Sequence, residues 1–297
     1  MKERLLWLYR NITALRRRRI QASLRQRGQV PIGILFYHRV ADCHPNPWTL
    51  SCSDFARQLD WLQQHFDIVS LAEAQLRMRA AYCDRPTISI TFDDGYAENA
   101  AFAIPELARR NLTATYFVST DFVRSGRSFP HDVAAGQPLP PNTIDQLREF
   151  AALGIEIGAH TRTHPDLGQI HDPETIESEI LGSVHDLEDW LGQAVQYFAF
   201  PFGLPENTTR LAVDCIAAAG LAGFCSAYGA WNWPGTAGYH LRRIHADPGI
   251  ESLENWLTFD PRKLYKHVTL PFAEPQLTLS RRQPTTNSSL TSPHFVG

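Results

Sequence analysis

Thr87-Ile88-Ser89-Ile90-Thr91-Phe92-Asp93-Asp94-Gly95 reads as a buried strand that ends abruptly in two carboxylates and a glycine. The run from Thr87 to Phe92 is short and mostly apolar, as in a strand covered on both faces of a parallel sheet. Two adjacent acids at such a strand end repel each other and lose hydration. A cation beside them removes both penalties. Successive side chains along a strand point to opposite faces and Gly95 permits a sharp turn, so Asp93 and Asp94 can take separate roles in one site. A plain Asp-Gly turn with both acids in water is the alternative, and it fits poorly after an apolar run.

Similar short runs lie on either side, at residues 32–37, 114–118, 155–159, 197–200, 223–226 and 241–245. Helical patterns separate them. Asp172 and Pro173 form a helix start; Ile176, Ile180, Val184, Leu187 and Leu191 follow at helical spacing, and Gly192 ends the run. Thr143 and Gln146 make a capping box ahead of Leu147 and Phe150. Ser51 and Asp54 stand in the same relation to Phe55, Leu59 and Leu62. The alternation implies an α/β fold with a parallel sheet. Seven units point to a closed or nearly closed barrel, with an open sheet as the alternative.

Barrel chemistry gathers at the C-terminal ends of the strands. There the sequence places His38, the Asp93–Asp94 pair, His160 and Pro201-Phe202-Gly203. His160-Thr161-Arg162-Thr163-His164 holds a second signal. Residues four apart on an extended chain are about 13 Å apart, so the chain must curl after Ala159 if both imidazoles are to reach one ion at ~2.0–2.1 Å. Two His and one Asp leave open positions for water and substrate. The aromatic turn Phe198-Ala199-Phe200-Pro201-Phe202-Gly203 is a candidate sugar wall with a backbone N–H, or a plain buried turn. Trp231 and Trp233, in the Gly- and Pro-rich stretch from Tyr228 to Gly235, are candidates for stacking on a sugar ring; the alternative is a lid packed on the barrel end.

Residues 1–30 hold nine Lys or Arg and one acid, with Leu5, Ile12 and Leu15 at helical spacing. They are expected to form a basic arm packed loosely on the domain, with a helix lying on an anionic membrane surface as the other reading. The domain proper is expected over residues 31–268 and a disordered tail over 269–297. The net charge of −3 gives no case for nucleic acid as a partner. Five cysteines without a CxxC pair read as reduced thiols. The apolar cluster from Leu5 to Tyr9 is shorter than a signal core of ~7 residues, so a cytoplasmic, at most membrane-peripheral, protein is expected.

Together these motifs resemble the polysaccharide deacetylases of the NodB-homology type, carbohydrate esterase family 4, over most of the chain from Pro31 to Asp247. The resemblance implies an irregular (β/α)7 barrel in a single domain. It implies a metal-dependent hydrolase that removes acetyl groups from N-acetylated amino sugars of a polysaccharide or its precursor. Asp93 matches the family's catalytic base, and Asp94, His160 and His164 match its metal ligands; the ion is expected to be Zn2+, with Co2+ or Ni2+ as alternatives. Ile34-Leu35-Phe36-Tyr37-His38 resembles the branch acting on poly-N-acetylglucosamine, an exopolysaccharide, where the general acid matches His38. His245 competes for that role. Ala199 stands where many members have an arginine that orients the base, leaving Arg242 or Arg243 to replace it. Phe202 stands for a frequent Tyr, and Phe202 and Gly203, with Trp231 and Trp233, complete the candidate substrate contacts. His131 and Asp132 match no motif. Two rival functions remain: hydrolysis of formamides or cyclic amides at the same site, and non-catalytic carbohydrate binding on the same fold.

Overall fold

A computed structural model describes residues 2–246, 249–266 and 268–273; the tail expected at the C-terminus lies outside them beyond residue 273. Every predicted strand run forms a strand: β1 Ile32–Tyr37, β2 Thr87–Phe92, β3 Thr115–Val118, β4 Glu156–Ala159, β5 Tyr197–Ala199, β6 Gly223–Ser226, β7 His240–Arg242 and β8 Ile244–His245. All are parallel and neighbours in chain order from β1 to β7, and β8 returns to pair with β1. The predicted seventh strand is therefore one run broken at Arg243. Its first half pairs with β6 and its second with β1, which nearly closes the barrel. β1 and β2 pair from Ile32 opposite Thr87 to Tyr37 opposite Phe92, so His38 and Asp93 leave adjacent strand ends together.

The helices are α1 Lys2–Gln26, α2 Cys52–His65, α3 Leu71–Arg79, α4 Ala103–Arg109, α5 Thr120–Ser125, α6 Pro130–Ala134, α7 Ile144–Ala152, α8 Pro173–Leu191, α9 Arg210–Ala218 and α10 Ile250–Leu257. Their starts follow the capping chemistry in the sequence. The Asp172 side chain accepts from Thr175 N and Gly192 ends α8 at φ 66°; Thr143 and Gln146 complete the capping box of α7; Ser51 accepts from Asp54 N at α2. Ile176, Ile180, Val184 and Leu187 are buried against the sheet.

Strand alternation sorts side chains into two apolar layers. Leu35, Tyr37, Ile88, Ile90, Phe92, Tyr116 and Phe198 pack outward under the helices. Ile34, Phe117, Ala199, Cys225 and Leu241 fill the barrel interior, which Leu71, Ala74 and Met78 of α3 also help to fill. On β2 the inward positions continue through Ser89 and Thr91 to Asp93. The barrel is thus apolar in its depth and charged at one rim. The cysteines are free thiols, Cys43 and Cys52 included.

The expected basic arm is the helix α1, and it is more firmly fixed than a loose arm. Arg17 is buried; one of its terminal nitrogens donates to Asn255 O at 2.8 Å and to Thr258 Oγ1 at 3.0 Å, and the other donates to Asn255 Oδ1 at 2.7 Å. Tyr9 donates to Asp260 at 3.0 Å, and Arg10 pairs with Glu251 and Glu254. Charge pairing with α10 and its C-terminal turn is what the sequence pattern could not supply.

Candidate active site

Asp94, His160 and His164 converge. Asp94 Oδ1 lies 3.5 Å from His160 Nε2 and 3.2 Å from His164 Nε2, and one ligand atom from each residue falls within 4.8 Å of the others. Two atoms each ~2.05 Å from a tetrahedral ion stand about 3.4 Å apart, so the spacing fits one divalent cation. The curl required by the sequence comes from left-handed residues: Thr161 (φ 64°) and His164 (φ 58°), with Asp94 (φ 74°) turning the facing loop. Non-glycine residues adopt this region at a cost, and hydrogen bonds hold it. Thr161 Oγ1 accepts from His164 N at 3.0 Å. Glu179 on α8 accepts from the N–H groups of Arg162 and Thr163, each at 2.9 Å. Gly95 (φ 95°) completes the turn against Val118.

His160 Nδ1 is 2.7 Å from Ala199 O. A carbonyl only accepts, so Nδ1 carries a hydrogen, and Nε2 is the ring atom turned toward Asp94. Burial pushes the Asp94 carboxyl up, but the two imidazoles outweigh it and hold the group well below the usual carboxylate range. An anionic carboxylate with two oriented imidazoles is a suitable donor set for Zn2+ and its neighbours.

Asp93 is held differently. Arg243 is fully buried and grips it with both terminal nitrogens, at 2.6 Å to Oδ1 and 2.7 Å to Oδ2, while Phe36 and Phe117 flank the guanidinium. Desolvation pushes Asp93 up; the charge of Arg243 more than offsets it and leaves the carboxyl lowered. Of the two candidate arginines, Arg243 is the one that reaches Asp93, because the strand break turns it inward. Arg242 points away and donates to Val268 O at 3.0 Å. His38 faces the same cavity as both aspartates. His245 is exposed, stacks on Phe36 at 4.8 Å and meets His38 edge-on at 5.7 Å, so it packs behind His38 and stays outside the cavity lining.

The cavity has a volume of about 230 Å³, with Phe36, Trp48, Phe200 and Phe202 around the charged centre. Phe202 is exposed at its rim with φ 60°. Gly203 is not part of the lining; it makes the turn, where a Cβ would come within 2.8 Å of Ala227 N. The structure also moves the two tryptophans off the site. Trp231 is buried and stacks on Phe259 at 5.6 Å, and Trp233 stacks on Tyr265. Their loop runs back from the end of β6 to the start of β7, and Asn232 bridges to Ile32 at the opposite end of the barrel. Trp48 is the indole at the site, donating to Tyr96 OH at 3.2 Å. That hydroxyl also lies 3.0 Å from both His131 Nε2 and Asp132 Oδ2, which puts the unmatched His131 on the cavity wall.

Comparison with known proteins finds polysaccharide deacetylases. The family model for polysaccharide deacetylase matches residues 80–221. YxkH of Bacillus subtilis (strain 168), which carries a polysaccharide-deacetylase name, is 26% identical over 224 residues, covering 73% of this chain and 72% of its own. Among solved structures, IcaB from Ammonifex degensii aligns with a TM-score of 0.64 at 22% identity, over 77% of this chain and 97% of its own. A Streptococcus pyogenes deacetylase, PplD, in complex with acetate aligns with a TM-score of 0.66 at 22% identity, over 78% and 99%. These two establish the shared barrel.

Proposed function

Because the chain belongs to the polysaccharide deacetylase family, hydrolases of carbon–nitrogen bonds outside peptides, we propose that it is a metal-dependent N-deacetylase of N-acetylated amino sugars, acting on a polysaccharide or its precursor. One arrangement supports this reading above all: a three-residue donor set of Asp94, His160 and His164 beside an unligated Asp93 gripped by Arg243. A bound divalent cation, Zn2+ first and Co2+ or Ni2+ next, supplies Lewis-acid polarisation of the acetyl carbonyl and acidifies a water.

The protein's own groups do the rest. Asp93, kept ionised and oriented by Arg243, takes the proton of the attacking water. The Phe202 N–H, which donates to no other described residue, supports the carbonyl oxygen as it gains charge. His38 protonates the departing amine, without which the amide re-forms. Phe36, Trp48 and Phe202 offer apolar faces to the sugar ring. At about 230 Å³ the cavity is smaller than the ~300–1,000 Å³ of pockets that enclose a whole ligand, so it takes the acetamido end and leaves the remaining sugars outside. A cytoplasmic location, expected from the sequence, favours a precursor over a finished extracellular polymer.

The arginine gap at Ala199 favours a non-catalytic sugar-binding protein, whereas the grip of Arg243 on Asp93 favours catalysis. Acetate release from acetylated chito-oligomers, assayed with added zinc, cobalt or nickel against formamides and cyclic amides, tests the proposal. Ion-dependent release from the oligomers supports it. Hydrolysis of the small amides alone reassigns the substrate, and no hydrolysis of either by metal-loaded protein overturns catalysis.

A further inference from the structure

The α1 helix has two unlike faces. Arg17 and Leu24 are buried, and Tyr9 and Arg10 are tied to Asp260, Glu251 and Glu254. On the opposite side Leu5, Leu8, Ile12 and Leu15 are 49–74% exposed. At 3.6 residues per turn the four aliphatic side chains fall within an arc of about 80°. Arg4 and Arg18 border that arc on one edge and Arg16 on the other, and Arg19 lies one turn beyond Leu15. All four arginines are exposed, and none has an ion pair among the described residues. An aliphatic stripe this continuous on a firmly docked helix is not loose packing; it is a surface for something else.

We infer that this face of α1 lies on an anionic lipid bilayer, with the aliphatic stripe in the acyl boundary and the arginines among the headgroup phosphates. Charge complementarity selects this occupant. A second copy meeting the stripe by two-fold symmetry would bring the bordering arginines against each other. Nucleic acid would answer the arginines but leave the aliphatic stripe in water. The helix lies on the surface and does not cross, since no described helix is long and apolar enough to span a membrane. Its pairing with α10 and Asp260 makes it one piece with the barrel, so docking sets the orientation of the catalytic cavity to the membrane.

Co-sedimentation of the full chain with phosphatidylcholine vesicles, with and without phosphatidylglycerol, tests this. Binding to the anionic vesicles that falls with added salt is expected, with little binding to the neutral ones. Replacing Arg16 or Arg19 by Gln weakens binding about five-fold each. The Leu8→Glu, Ile12→Glu double variant weakens it at least ten-fold, while its circular dichroism and its acetate release from a soluble oligomer stay unchanged. Equal sedimentation of that variant, or no binding to anionic vesicles, overturns the inference. So does a concentration-dependent dimer that the same substitutions abolish in sedimentation velocity, because it assigns the stripe to a second copy.

Discussion

At the ends of the barrel strands, Asp93, Asp94 and Arg243 are withdrawn from water, whereas along α1, Leu5, Leu8, Ile12 and Leu15 are left in it. Both arrangements reverse the usual partition of side chains, yet they differ in what compensates them. Each buried charge has a matched partner a few ångströms away: a guanidinium for Asp93, two imidazoles for Asp94. Leu5, Leu8, Ile12 and Leu15 of α1 belong to no apolar cluster among the described residues. A site whose groups depend on one another fails when one is removed. A surface whose groups answer to an outside phase loses only that phase.

The largest effects are therefore expected at the strand ends, and two neighbouring carboxylates should fail in different ways. Asp93→Asn keeps the ligand set and removes the base, so turnover falls about 10²–10⁴-fold while metal content measured by mass spectrometry is unchanged. Asp94→Ala loses the ion along with the activity. Metal loss in the first variant, or full metal retention in the second, would exchange the two assignments.

Removing Arg243 tests the compensation itself. Arg243→Leu leaves the Asp93 carboxylate buried and unpaired, which costs about 3–5 kcal/mol of folding stability in urea titration. Arg243→Lys restores the charge without the two-pronged grip and recovers only part of both stability and rate. A Leu variant as stable as the parent would mean that Asp93 is not held by this pair.

The acids were legible in the sequence because an apolar run leading straight into Asp93-Asp94 leaves few uncharged explanations, and the barrel was legible from the strand–helix alternation. Arg243 was not singled out, since Arg242 and Arg243 are neighbours on a strand and only the break between β7 and β8 decides which turns inward. The bends at Thr161 and His164 carry no glycine to announce them. Trp231 and Trp233 misled because composition marks a loop without telling which end of the barrel it reaches. Trp48, in the connection after β1, obeys the strand-end rule and could have been found by it.

The docked face of α1 gives a smaller, pH-dependent effect. Burial pushes the Asp260 carboxyl up, but hydrogen bonds from Arg262, Tyr9 and Asn255 outweigh it and bring the group down to about 2. A carboxyl lowered from its ordinary ~3.9 contributes stability that is complete above that value and is lost as pH falls through about 2. The difference in urea midpoint between the parent and Asp260→Asn should be present at pH 6 and close between about pH 4 and pH 2. A gap that persists at pH 2 would remove this carboxylate from the anchoring of α1.

The smallest expected effect is the most discriminating. Leu8 faces solvent, so the Leu8→Glu exchange strands no partner, opens no cavity and buries no charge; its effect on the urea midpoint should stay within about 0.5 kcal/mol. Helix propensity barely changes between the two residues. The same substitution at Leu35, buried in β1, would place an unpaired carboxylate in the core and prevent folding. A clear destabilisation at Leu8 would mean that the stripe packs within the molecule after all, and the contrast between a self-compensated rim and an outward-facing helix would fail at the α1 side, leaving the strand-end site untouched.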